Sequence, residues 1–202
     1  MYVRDAKNRE EVWLLDHIEA MSLDDSAFRS RDYVVAIDEE SGEKAGFGRI
    51  RIHKLDDGSE LCELTSIGVL EGWQRQGVGA HVIERLLTHA GDQGFDLVYT
   101  IVNVPDYFAQ FGFEPIDVEE LPPKLAERYE AKRERLDGQI VPMTIEIEDF
   151  SVPERLREAF KRAPESRRED EADATDAAEI AEEFGIDPET ATYKYDTGGK
   201  SQ

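Results

Sequence analysis

The chain is poor in cysteine and has no long apolar run. Of its 202 residues only Cys62 is a cysteine, which excludes an internal disulfide and favours a reducing compartment. No stretch of about 18 apolar residues suggests a membrane span, and the N-terminal residues Met1–Asp5 lack the pattern of a signal peptide. We therefore expect a cytoplasmic protein with no membrane partner.

Basic residues are also scarce. The chain has 24 Lys and Arg against 46 Asp and Glu, a formal net charge of −22. Nucleic-acid binding needs clustered cations to neutralise phosphates, so no nucleic-acid partner is expected. Such a charge destabilises a compact chain in dilute buffer, whereas molar salt shortens the Debye length to about 3 Å and screens the repulsion. The composition resembles that of proteins from salt-accumulating halophiles.

A glycine-rich turn stands between two apolar segments. The pattern predicts a strand at Leu61–Val69, a turn at Gln74–Gly79, a helix from about Ala80 and a strand at Leu97–Val102. Backbone N–H groups converge in such a turn, and the helix N-terminus adds about half a positive charge. The turn is therefore predicted to bind a phosphate.

Two common phosphate loops do not fit this turn. A Walker loop needs Gly-Lys followed by Ser or Thr, but Gly77 is followed by Val78 and Gly79 by Ala80. A dinucleotide-binding turn needs a third glycine at the position of Val82. Both alternatives are disfavoured.

The turn resembles instead the acetyl-CoA loop of the GNAT acetyltransferase superfamily, whose pattern is Gln/Arg-x-x-Gly-x-Gly/Ala. The matched positions are Gln74, Gly77 and Gly79 in the loop, Glu63 six residues before Val69, Asn103 after the next strand, and Phe108 four residues before Gly112 and Phe113. The order and spacing of these positions make the match specific over residues 61–113.

The resemblance implies an α/β fold in which a mixed, mostly antiparallel sheet is flanked by helices. We expect this acetyltransferase domain to occupy residues 1–150. Residues 151–202 are expected to form a charged extension, partly helical, with a helix at Thr175–Phe184, and disordered at 197–200. Because Pro142 lacks an N–H, the strand at Gln139–Ile147 is predicted to lie at a sheet edge or to carry a bulge.

The resemblance also implies acetyl-CoA as co-substrate and no metal. Main-chain groups of one strand would hold the pantetheine arm and polarise the thioester, while the loop and two later residues would complete the site. The implied coenzyme-binding residues are Ile67, Gly68, Val69, Gln74, Arg75, Gln76, Gly77, Val78, Gly79, Ala80, Asn103 and Phe108.

Two residues are candidates for proton transfer. Glu63 stands where the family commonly places its general base, and we expect partial burial to raise its pKa toward the working range. Tyr107 is a candidate general acid toward the departing thiolate. The family's tyrosine position is occupied here by Phe108, and one residue on a helix is a rotation of about 100°.

Four arginines are candidate substrate contacts: Arg29, Arg31, Arg49 and Arg51. Side chains alternate along a strand, so Arg49 and Arg51 share one face and could hold a carboxylate, although a solvent-facing sheet edge is an equal alternative. The stretch Tyr107–Pro122 resembles the amino-acid N-acetyltransferase branch, which includes N-acetylglutamate-synthase-like domains. This second resemblance favours the amine of an amino acid or another small molecule as acceptor.

The combined interpretation is an N-acetyltransferase that transfers acetyl directly from acetyl-CoA to a small-molecule amine. Two alternatives stay open: a non-catalytic CoA-binding regulatory or interaction module, and a protein N-acetyltransferase. A homodimer also stays open.

The acidic composition predicts a salt-dependent stability. We expect the melting temperature to rise between dilute buffer and molar KCl, by about 2–4 °C for each kcal/mol of screened repulsion. Calorimetry in the two buffers measures this shift, and an unchanged melting temperature would remove the halophile interpretation.

Overall fold

The computed structural model describes residues 1–24, 26–135 and 139–183. Met1–Pro164 form one compact unit, and Glu165–Gln202 form a second unit, of which residues 165–183 are described and are helical. The predictions for Phe184 and for residues 197–200 lie outside the described residues. No helix within the described ranges has the length and apolar character that a membrane span requires.

The described ranges contain seven strands and five α-helices. The strands are β1 (Tyr2–Asp5), β2 (Tyr33–Ile37), β3 (Lys44–Lys54), β4 (Glu60–Val69), β5 (Leu97–Val102), β6 (Glu114–Pro115) and β7 (Val141–Glu146). The helices are α1 (Glu11–Ala20), α2 (Val78–Asp92), α3 (Pro105–Ala109), α4 (Pro123–Arg135) and α5 (Glu154–Glu183). The strand order is β1-β2-β3-β4-β5-β7-β6, antiparallel except for the parallel pair β4–β5. The predicted fold class is confirmed.

Alternating side chains give the sheet two different faces. Cys62 and Leu64 of β4 belong to the main core, which contains the apolar stripe of α2. The opposite face packs on α1 in a second cluster that includes Phe47, and on α4 where Leu61 meets Leu125. The polar side chains of β3 and β4 therefore lie beneath α4 and the segment that follows α1.

The pair β4–β5 separates almost as soon as it forms. Only Cys62–Leu64 pair with Val98–Thr100, and both strands then continue without pairing to each other. Near the point of separation the β3–β4 register shifts, and Ser66 takes a positive φ of 51°. This local irregularity bends β4, as a β-bulge does, and a wedge opens between β4 and β5.

Pro142 does not lie in an edge strand, so that prediction is wrong. Strand β7 pairs with β5 on one side and with the two-residue β6 on the other. The carbonyl of Pro142 accepts from the N–H of Ile116, just beyond the end of β6. In an antiparallel strand the N–H and C=O of one residue point to the same side, so the missing N–H falls where β6 has ended.

Candidate active site

The predicted phosphate-binding turn, Gln74–Gly79, includes the first two residues of α2. Gly77 is the N-cap residue, with a φ of 76°, and the helix begins at Val78, two residues earlier than predicted. Within the described chain, the N–H groups of Gln76 and Gly77 have no protein acceptor. Those of Val78 and Gly79 lie in the first helical turn, where no intrahelical partner exists. These four N–H groups lie at the N-terminus of the helix, where the helix dipole favours an anion such as the diphosphate of a coenzyme.

The two loop glycines are required by close packing. A Cβ at Gly77 would collide with the main-chain oxygen of Leu156 on α5. A Cβ at Gly79 would lie 2.7 Å from the Tyr107 hydroxyl. The turn is therefore covered on one side by the first turns of α5, and Tyr107 stands against α2 itself.

Side-chain amides fix the shape of the turn. Gln74 donates to the carbonyl of Val69 at 3.3 Å, and Gln76 donates to that of Gly72 at 3.0 Å. The side chain of Arg75 is exposed. The loop is thus tied to the end of β4, and Arg75 is the one cation within Gln74–Gly79.

Helix α3 separates the roles of Tyr107 and Phe108. Phe108, a predicted coenzyme-binding residue, is buried and packs edge-on against Phe113 in the core. The Tyr107 hydroxyl reaches Gly79, and burial raises the pKa of that hydroxyl to about 12. Tyr107 is therefore a protonated group beside the coenzyme turn.

Four further residues predicted to bind the coenzyme lie near the ends of β4 and β5. Asn103 is exposed directly after β5. Ile67, Gly68 and Val69 lie at the end of β4, beyond its last contact with β5.

Among the described side chains, no group of His, Cys, Asp or Glu is arranged to hold a metal ion.

Glu63 is fully buried among three cationic or protonatable groups. Its carboxylate accepts from His53 Nε2 at 2.8 Å, from Arg128 Nε at 3.1 Å and from Lys132 Nζ at 3.4 Å. Burial alone would raise the pKa of Glu63, but the His53 hydrogen bond and the charges of Lys132 and Arg128 outweigh it. The pKa is held far below its ordinary value, so the expected upward shift is wrong.

A second carboxylate extends this network toward β3. Asp24 pairs with Arg128 at 2.6 Å and with Arg51 at 3.3 Å. Burial would raise the pKa of Asp24, but hydrogen bonds from Ser26 and the charge of Arg128 lower it to about 2. Arg51 is therefore already paired.

Arg49 is a buried cation without a carboxylate. Its side chain is 1% exposed and donates to the carbonyl of Ser26 at 2.9 Å and to the Tyr33 hydroxyl at 3.4 Å. Its Nε has no acceptor, and no acidic side chain of the described ranges pairs with it. Burying an unpaired charge is costly, so this position is suited to an anionic ligand.

A cavity of about 340 Å³ opens beside this face. It is lined by Ala27, Arg29, Asp32, Arg49, Ile50, Arg51, Ile52, His53, Lys54, Gln93 and Lys124. It follows the part of β3 beyond Arg49, where β2 pairing has ended. Arg31 instead lines a separate depression with Asn8 and Glu11. Of the four predicted arginines, the structure thus brings three together.

Sequence reasoning missed the cations of α4 and the role of His53. Arg128 and Lys132 are four residues apart, which places them on one helix face. Nothing in their spacing, however, points to a strand some sixty-five residues earlier in the chain. Alternation along β3 places His53 on the same face as Arg49 and Arg51, and this was the available signal for His53.

Comparison with known proteins agrees with this geometry. A model of the acetyltransferase (GNAT) family matches residues 2–113. The mycothiol acetyltransferase of Thermobifida fusca (strain YX) is 32% identical over 46% of this chain and 35% of its own length. The chain therefore corresponds to about a third of that relative.

Two solved structures share the fold. Rv2747 from Mycobacterium tuberculosis, in complex with CoA and NLQ, has a TM-score of 0.58 and 18% identity, covering 72% of this chain and 99% of that chain. N-acetylglutamate synthase from Neisseria gonorrhoeae, complexed with coenzyme A and N-acetyl-glutamate, has a TM-score of 0.56 and 15% identity, covering 72% of this chain and 34% of that chain.

The lowered pKa of Asp24 predicts an acid-sensitive stability. A carboxylate with a depressed folded pKa stabilises the fold above its unfolded pKa of about 4, and this contribution is lost as the pH falls toward 2. We expect Asp24→Asn to cost about 1.5–3 kcal/mol at pH 7, and the difference from wild type to shrink below pH 4.

Asp57→Asn is the matched control, because Asp57 accepts from Ser59 as Asp24 does from Ser26, but it is exposed and pairs with no cation of the described chain. Thermal unfolding from pH 7 to pH 3 in molar KCl measures both variants. Equal effects of the two substitutions would contradict the assignment.

Proposed function

The chain belongs to the acetyltransferase (GNAT) family, and we propose that it transfers acetyl from acetyl-CoA to the amine of a small molecule that carries a carboxylate, such as an amino acid. The proposal of a carboxylate on the substrate rests on Arg49. This buried guanidinium has no acidic partner in the described chain and lies beside a cavity rich in cations. The proposal of acetyl transfer rests on family membership and on the predicted phosphate-binding turn at Gln74–Gly79.

The wedge between β4 and β5 fits the coenzyme. Its open end is bounded by Val69 on β4 and by Tyr107 on α3, both of which lie against Gly79. The four converging N–H groups at the start of α2 would hold the diphosphate. Acetyl-CoA would supply the activated acetyl group there. The main chain of Ile67–Val69 is not paired with β5, so that side of the strand, where Gln74 occupies the Val69 carbonyl, is available to bind the pantetheine arm.

The charges around the cavity favour an anionic acceptor. Arg29, Arg51, Lys54 and Lys124 line it together with Arg49, and Asp32 is the one acidic residue among its described lining residues. In a chain with a net charge of −22, such a concentration of cations attracts small anions locally. The Nε of Arg49, which has no acceptor among the described residues, can donate a charge-assisted hydrogen bond to a carboxylate.

Glu63 and His53 together provide a route for the amine's proton. A protonated amine cannot attack a thioester, so the acceptor must lose a proton first. When the Nε2–H of His53 donates to Glu63, its Nδ1 is an acceptor, and the ring lines the cavity. We assign proton removal to this pair, with Glu63 ionised and His53 at the wall of the substrate cavity. Tyr107, protonated because its pKa is about 12, would protonate the thiolate.

The lowered pKa of Glu63 favours a second candidate function. Glu63 is held far below its ordinary pKa by Lys132 and Arg128, which makes it a weak base on its own. This favours the alternative of a CoA-binding module without turnover. Release of CoA thiol in the presence of amines separates the two functions.

The acceptor proposal predicts a carboxylate-dependent activity. In molar KCl, thiol release from acetyl-CoA should be faster with amino acids than with the matching amines that lack the carboxylate. Arg49→Gln should lower kcat/KM for the amino acid about 10- to 100-fold, the value of a charge-assisted hydrogen bond, and change that for the matching amine little.

The control variant is Arg133→Gln, an exposed arginine of α4 that pairs only locally with Glu130. Because Arg49 is buried, its variant is first checked for an intact melting transition, and the ratio of the two substrates corrects for loss of active protein. Equal losses for both substrates would contradict a carboxylate site at Arg49.

A further inference from the structure

Lys132 reaches the narrow end of the wedge between β4 and β5. The last paired residues are Leu64 and Thr100, so Thr65 and Ile101 are the first unpaired residues of the two strands. Lys132 Nζ donates to Thr65 Oγ1 at 3.4 Å and to the carbonyl of Ile101 at 3.2 Å. A primary amine of the chain itself therefore stands where the strands begin to separate.

The surroundings of this amine suit acyl transfer. Glu63 Oε1 lies 3.4 Å from Lys132 Nζ, within reach of its proton. The side chain is 16% exposed, and burial lowers the pKa of the Lys132 ammonium below its ordinary value, although Glu63 opposes this. Leu125 anchors α4 on the sheet, so the position of Lys132 is set by packing as well as by charge.

We propose that Lys132 is itself an acetyl acceptor, so that the chain acetylates its own ε-amine inside the wedge. This inference rests on the proposed function, because the acetyl group comes from the same acetyl-CoA. Lys132 differs from a surface lysine in having both strands of the wedge and a carboxylate within hydrogen-bond distance.

The reaction balances without any further reagent. The Lys132 ammonium first loses one proton to solvent through the Glu63–His53 pair, and the neutral amine then attacks the thioester carbonyl carbon. A C–N bond forms and the C–S bond breaks. The amine's second proton is released to water, the departing thiolate takes one proton from Tyr107, and solvent restores Tyr107. The products are ε-N-acetyl-lysine and free CoA.

Acetylation would also change the network around Glu63. Lys132 is one of the charges that lower the pKa of this carboxylate. An amide in its place carries no charge, so the pKa of Glu63 would rise toward its ordinary value. The modified chain would then hold a stronger base beside His53.

The test is acetyl-CoA incubation of the purified full chain in molar KCl, followed by intact mass and peptide mapping. We expect one acetyl group, at Lys132, added at a rate that does not change on tenfold dilution of the protein, as a reaction within one chain requires. Lys132→Arg should remove the modification while keeping the charge. Glu63→Gln should slow it about 100-fold or more, the typical loss of a general base.

Lys161→Arg is the matched control, because Lys161 also pairs with a glutamate, Glu158 at 2.6 Å, but is exposed. It should leave the acetylation of Lys132 unchanged. If Glu63→Gln does not fold, the wild-type chain still tests the inference. The measurement is then the rate of acetylation at Lys132 relative to that at Lys161.

An unmodified Lys132, or one modified no faster than Lys161, overturns the inference. Thiol release with external amines, measured in the same samples, then shows whether the proposed function falls with it. Amine turnover without acetyl-Lys132 overturns self-acetylation alone, whereas the absence of both overturns both.

Discussion

The site depends on the early separation of two parallel strands. Strands β4 and β5 share three paired positions and then diverge next to the irregular backbone at Ser66. Had the pairing continued, their main-chain groups would satisfy each other and leave no room for a ligand. The divergence leaves the end of β4 unpaired with β5, where the proposed pantetheine arm would lie, brings Tyr107 to Gly79 at the open end and admits Lys132 at the narrow end.

The second constraint is electrostatic. A chain with a net charge of −22 collects cations on one face of its sheet, where α4 covers β4. Buried charges must be paired, and Glu63 and Asp24 meet this need for Arg128 and their other partners. Arg49 has no acidic partner among the described residues, and the proposed anionic acceptor would supply one. The same pairing that stabilises the cluster weakens Glu63 as a base, which gives His53 its proposed role.

Local patterns predicted much of this fold, and long-range contacts account for what they missed. Strand β5 has the predicted bounds, and the helix after the glycine turn begins two residues before its predicted start, because these features depend on local apolar patterns. The strand of Pro142 was wrongly predicted to lie at a sheet edge because the pairing of β7 with the two-residue β6 is not visible in local patterns. The pKa of Glu63 was misjudged because Arg128 and Lys132 come from a distant helix, and burial without partners acts in the opposite direction.

Amide hydrogen exchange with and without CoA in molar KCl probes the coenzyme seat itself. At a CoA concentration about 100 times Kd, the amides of residues 76–79 and 67–69 should exchange up to about 100-fold more slowly, because binding stabilises the closed form by about 2.7 kcal/mol. The amides of β1 and β2, away from the wedge, serve as the internal reference. Protection elsewhere with unchanged exchange at residues 76–79, or no protection at saturating CoA, would contradict a coenzyme site at the start of α2.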